Sequence, residues 1–91
     1  MSAFHFRGEL VGHDTETARY RFQTNYVDDA QRTGAFSVNL VTWAWSIDLS
    51  ADSRCYADGT SRDAHCVSAL IHKIRKAYGL SGLPEVVFHV A

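Results

Sequence analysis

Five histidines, His5, His13, His65, His72 and His89, and two cysteines, Cys55 and Cys66, are the residues of this chain whose types best suit chemistry. A structural zinc site needs ligands at short fixed spacing, such as C-x2-C or H-x3-H, so that they converge on one ion. Neither spacing occurs. His65 and His72 are seven apart and share one side of a helical segment. At 100° per residue they lie about 140–160° from its apolar centre, which turns them to water beside Lys76. His65 and Cys66 are adjacent, and neighbours on a helix diverge. No metal and no cofactor are expected. A thiol nucleophile needs a thiolate, favoured at a helix N-terminus or beside a cation. Cys66 falls instead at the edge of the apolar stripe, and Cys55 falls in a polar loop. No G-x-S-x-G, glycine-rich phosphate loop or H-E-x-x-H is present. The aspartates Asp48, Asp52, Asp58 and Asp63 gather in and around that loop, where turn and cap roles account for them. The chain is therefore expected not to be an enzyme. The alternative in that class is a small-ligand binder or thiol enzyme, with a pocket between helix and sheet and Cys55 or Cys66 as its reactive group.

The elements that would position these groups follow from periodicity. Phe4, Phe6 and Leu10 alternate with His5, Arg7 and Glu9. Tyr20, Phe22 and Tyr26 alternate with Arg19, Arg21, Gln23 and Asn25. Period two rich in aromatics predicts two half-buried strands, with His13-Asp14-Thr15-Glu16 as the turn. Keeping the apolar faces together requires paired residue numbers to sum to 28 or 30. The first sets Arg7 opposite Arg21. The second sets Glu9 opposite Arg21 and Gly8 opposite Phe22, whose ring can cover the missing side chain, and is preferred. Residues 28–34 read as a loop. Phe36, Val38 and Leu40 begin a third strand, after which the apolar parity flips to Trp43, Trp45, Ile47 and Leu49. A four-residue loop at Val41-Thr42-Trp43-Ala44 explains the flip, pairs Leu40 with Trp45, and leaves Trp43 at the tip.

Ser50 to Arg62 is polar and irregular. From Asp63 to Tyr78 the apolar residues Val67, Leu70, Ile71, Ile74 and Tyr78 fall on one helical face. Thr60 or Ser61 caps its start, Lys73, Arg75 and Lys76 suit its end, and Gly79 is placed as the C′ residue. Val86 to Val90 reads as a closing strand. The fold class is α+β: a two-layer, mainly antiparallel sheet in the order ββββαβ with one helix packed on one face, as a single domain over residues 1–91.

Composition agrees with a small folded protein. The 91 residues are 46% hydrophobic and 21% charged, with a formal net charge of −1, which excludes disordered and collagen-like classes. No signal peptide and no membrane-length apolar run is read, and two cysteines are too few for a secreted disulfide framework. A cytoplasmic protein with reduced thiols is expected.

Two surfaces then compete for a function. One sheet face carries Arg7, Arg19 and Arg21 and is the basis of a nucleic-acid-binding alternative. Glu9, the net charge and the placement of the aromatics on the opposite face weigh against it. The aromatic face is favoured. Five strands make a sheet roughly 24 Å wide, while a helix is about 10 Å across, so part of that face should stay bare. A bare aromatic face implies a partner. The expected function is a small non-enzymatic protein–protein interaction module, an inhibitor or accessory subunit. It would bury this surface in a homodimer or against another protein through Trp43, Trp45, Tyr20, Tyr26 and Tyr56. No membrane partner is expected.

Overall fold

The computed structural model describes residues 5–25 and 32–90. They form β1 (His5–His13), β2 (Thr17–Asn25), β3 (Arg32–Asn39), β4 (Trp45–Leu49), α1 (Arg62–Ser81) and β5 (Val86–Val90). All strand pairs are antiparallel, and the sheet order is β4-β3-β2-β1-β5. This is the α+β architecture expected from the alternation of the strands and the 3.6-residue period of the helix. The turn between β1 and β2 is built on Asp14, whose carboxylate accepts from the Glu16 and Thr17 amides at 2.8 Å each. These two bonds, that to Glu16 first, hold the Asp14 carboxyl below its ordinary range.

The β1–β2 register is the one with residue numbers summing to 30: Glu9 faces Arg21 and Gly8 faces Phe22 up to a bulge after Leu10. The ring of Phe22, however, covers a different glycine. A Cβ on Gly34 would meet Phe22 Cζ and the Leu49 carbonyl oxygen, each at 2.5 Å, whereas the space beside Gly8 is taken by Val87 and Leu70. Phe22 pairs with both glycines, one on each neighbouring strand, and its ring leans toward β3.

Three boundaries differ from the periodicity reading. Arg32, Thr33 and Gly34 belong to β3 and pair with β2, because the ladder to Thr24, Gln23 and Phe22 continues past the last apolar residue. Trp45 pairs with Val38, not Leu40, so the hairpin loop is Leu40 to Trp43. Asn39 sets it: its side-chain oxygen accepts from the Val41 and Thr42 amides, and its own amide donates to Ala44. Trp43 takes the left-handed conformation at φ 64°, which lets the chain reverse there. The helix runs three residues beyond Tyr78 and ends at Gly82, φ 100°, with Gly79 inside it. Lys73, Arg75 and Lys76 therefore stand before its last turn, which has no basic residue. Ser61 is the N-cap, accepting from the Ala64 amide at 3.2 Å.

Among the described residues the aromatic face is covered except at the β4 edge, where Trp45 is exposed. Phe6, Tyr20, Phe22 and Phe36 are at most 1% exposed, beneath Cys66, Val67, Leu70 and Ile74 of the helix. The flat-sheet width overstated what had to be covered. A twisted sheet curls around the element packed on it, and here α1 touches β5 and β1 on one side and β4 on the other. The segment between β4 and α1 also folds in, with Ala51 against the core and a set of polar contacts. Asp52 is 2% and Asp63 4% exposed. Asp63 accepts from the Ser50 hydroxyl at 2.5 Å and from the Asp52 amide at 2.9 Å. Asp52 in turn holds Arg54 through two bonds of 2.8 Å, to Nε and Nη2. The Arg54 guanidinium keeps the Asp52 carboxyl down at about 2.

Candidate functional site, the open edge at β5

The residues expected to meet a partner disperse. Tyr20 is fully buried and donates its hydroxyl to the Pro84 carbonyl at 2.7 Å, and burial pushes its phenol up to about 12. It has no surface to offer; its aromatic character was a core signal. Tyr26, like Phe4, lies outside the described residues. Trp43 is half-buried, edge-on to Tyr78 at 5.8 Å, with the Arg75 guanidinium 5.6 Å from its ring. Tyr56 is half-buried between His65 and Arg62. Trp45 alone of the set is exposed, at 37%. Trp45 lines a depression with His65, the residue Tyr56 packs on, while Trp43 packs on Tyr78.

Cys55 and Cys66 are free thiols. Cys66 is buried in the core, where desolvation, then the Asp63 charge, pushes its thiol up and leaves it a poor nucleophile. A shallow depression of about 740 Å³ between the helix end and β1 is lined by Leu10, Leu40, Tyr78 and Leu83 with His13 and Glu85. Another, of about 690 Å³, includes His65, His72, Lys73 and His89. Neither contains a cysteine. Among the described residues, no three His, Cys, Asp or Glu side chains gather as a metal site, and no helix is long and apolar enough to cross a membrane. Arg7 and Arg21 both pair with Glu9, at 3.5 and 3.3 Å, so the basic stripe is partly neutralised from within.

The described residues expose apolar side chains at several places, Val11, Val41 and Leu80 singly, Trp45 and Leu49 on β4, and Val86 and Phe88 on β5. Arg7 faces Phe88 and Glu9 faces Val86, so Phe88 and Val86 project from the sheet face that the helix does not cover. Phe88 is 57% exposed, its ring 5.9 Å from the Arg7 guanidinium, and Val86 is 38% exposed. Their alternates, Val87 and His89, face the helix: Val87 is buried, and His89 stacks on Phe6 at 5.6 Å. β5 is also an edge strand. The Leu10 amide donates to the Glu85 carbonyl at 2.8 Å in the β1–β5 register, so hydrogen-bonded pairs alternate from there. Val87 and His89 bond to β1, and the main-chain groups of Val86, Phe88 and Val90 point outward. Periodicity marked this strand but not its position, since an edge and a centre have the same local sequence. Comparison with family models, curated proteins and solved structures finds no match to this chain.

Proposed function

We propose that this protein is a small non-enzymatic interaction module, an inhibitor or accessory subunit, that works by binding another protein. The observation carrying this reading is the exposed Phe88 and Val86 on β5, whose outer edge no other strand among the described residues pairs with. An unpaired apolar edge is a template for another chain, and soluble proteins usually blunt such edges with charge, proline or a bulge. β5, Val-Val-Phe-His-Val, has none of these within it. The surface differs from the aromatic face expected from sequence, but the class of function is the same. Two free cysteines, one exposed, support residence in a reducing compartment such as the cytoplasm.

The test is sedimentation of the tagged protein in native extract, beside the purified protein alone. The expected result is a faster-sedimenting form that Phe88→Asp abolishes while the far-UV spectrum stays unchanged. A monomer under both conditions would overturn the reading.

A further inference from the structure

We propose that two copies of this chain join at the β5 edge, pairing antiparallel about a two-fold axis at Val87 so that one continuous sheet runs through both. This rests on the interaction-module reading and specifies its partner as a second copy. A two-fold contact requires that if residue i meets residue j, then j also meets i. The β5 edge meets this requirement with complementary residues. Centred on Val87, the pairing sets Val86 opposite Phe88 and Glu85 opposite His89, each twice. The outward main-chain groups of Val86 and Phe88 then meet those of the second copy, and each pair exchanges both N–H···O bonds. Pro84, which has no N–H and whose carbonyl accepts from the Tyr20 hydroxyl, ends the ladder.

The two faces of the joined sheet match in different ways. On the open face, Val86 and Phe88 of both copies form one apolar cluster, with each Arg7 guanidinium 5.9 Å from its own Phe88 ring. On the helix side, the two ends of β5 carry opposite charge. Glu85 borders the depression lined by Leu10, Tyr78 and Leu83, and His89 borders the one lined by His65, His72 and Lys73. Antiparallel pairing carries each Glu85 to His89 of the second copy and to its basic neighbours. Burial first, then Lys73 and His65, disfavours the His89 imidazolium, and the incoming carboxylate acts in the opposite sense.

Other two-fold registers lack this match. Centred on Phe88, the ring faces its own copy and His89 faces Val87. Centred on His89, the imidazole faces its own copy. Centred on Val86, Glu85 faces Val87 and Phe88 faces Pro84. Charge complementarity selects the register about Val87. A strand of unrelated sequence would need an acid and an apolar residue at the spacing that this chain already supplies to itself.

Sedimentation of the purified protein, up to about 0.5 mM, tests the assembly. A concentration-dependent dimer is expected, and Phe88→Asp should abolish it. Glu85→Lys and His89→Glu, each alone, should weaken it at least tenfold, because each sets like charges opposite one another twice. An equimolar mixture of the two variants should recover the parent's affinity to within threefold, since every charged pair across the axis is then of opposite sign. Lys73→Glu, a change on the helix surface, replaces His89→Glu in the mixture if loss of the Phe6 stack unfolds that variant. A parent that stays monomeric, a dimer that Phe88→Asp leaves intact, or charge variants that associate like the parent would overturn the proposal. So would a mixture that gives no recovery. A monomer when pure, alongside Phe88-dependent association in extract, would reject the second copy and leave the interaction module standing. A monomer under both conditions would remove both.

Discussion

The two sides of the sheet are held by different physics. On the β4 side, cohesion is polar and tightly fitted. Gly34 gives Phe22 room, Asp52 and Asp63 tie the loop to the helix, and the Ser37 hydroxyl bonds Asp48 at 2.5 Å. On the β5 side, the helix rests on Val87, and no other strand among the described residues pairs with the outer edge. The difference lies in charge and pairing rather than in exposure, since β4 is an edge too and exposes Trp45 and Leu49. Asp48 places a charge on the β4 edge, and a register irregularity interrupts its pairing. β5 has neither device.

The comparison can be broken by mutation, and the largest effect belongs to the closed side. Gly34→Ala would set a methyl 2.5 Å from both a carbonyl oxygen and a ring carbon, and should cost about 3 kcal/mol in denaturant unfolding. Gly12→Ala, with open space around it, is the control and should change little. If both glycines tolerate alanine equally, the close fit on the β4 side is not what holds it. Asp63→Ala comes next, with a loss of about 2–3 kcal/mol, since the Ser50 hydroxyl and the Asp52 amide both lose a charged acceptor.

Acid should sharpen the same contrast. Asp52 has its carboxyl lowered from 3.8 to about 2 in the folded protein. A depressed carboxylate stabilises above its unfolded value, and that stability is lost as pH falls from about 4 through 2. With Arg54 half in solvent, the loss should be about 1–2 kcal/mol. Unfolding free energies measured across this range should show the slope, and Asp52→Asn should flatten it. The smallest effect is expected on the open side. Phe88→Ala should change folding stability by less than about 1 kcal/mol, because the ring covers only part of Arg7 and Glu9's strand, while abolishing association. A loss comparable to Gly34→Ala would make Phe88 a structural residue and erase the distinction.

Much of this architecture was legible in sequence, and the reasons differ by element. The β1–β2 register followed from charge, since a like pair at Arg7 and Arg21 is avoided by setting Glu9 opposite Arg21. The helix face followed from Val67, Leu70, Ile71 and Ile74, all buried, whereas Tyr78, placed on the same face, is exposed. Its end did not, because glycine at 79 and glycine at 82 both look like terminators, and only the one at positive φ acts as such. The β3–β4 hairpin was found but misaligned by two residues, since Asn39's side chain, not an apolar pairing, sets the loop. The candidate site was hidden for a deeper reason. Alternation reveals which residues share a face, but coverage depends on curl, and curl is a property of the whole sheet. Tyr20 and Phe88 are both strand aromatics, yet one is sealed and the other half in water.

The carboxylate of Asp48 has a consequence for growth. A sheet with two receptive margins can propagate without limit into a filament. With one margin charged and bulged, a strand added at the other would end the sheet there, giving a finite complex rather than a fibre.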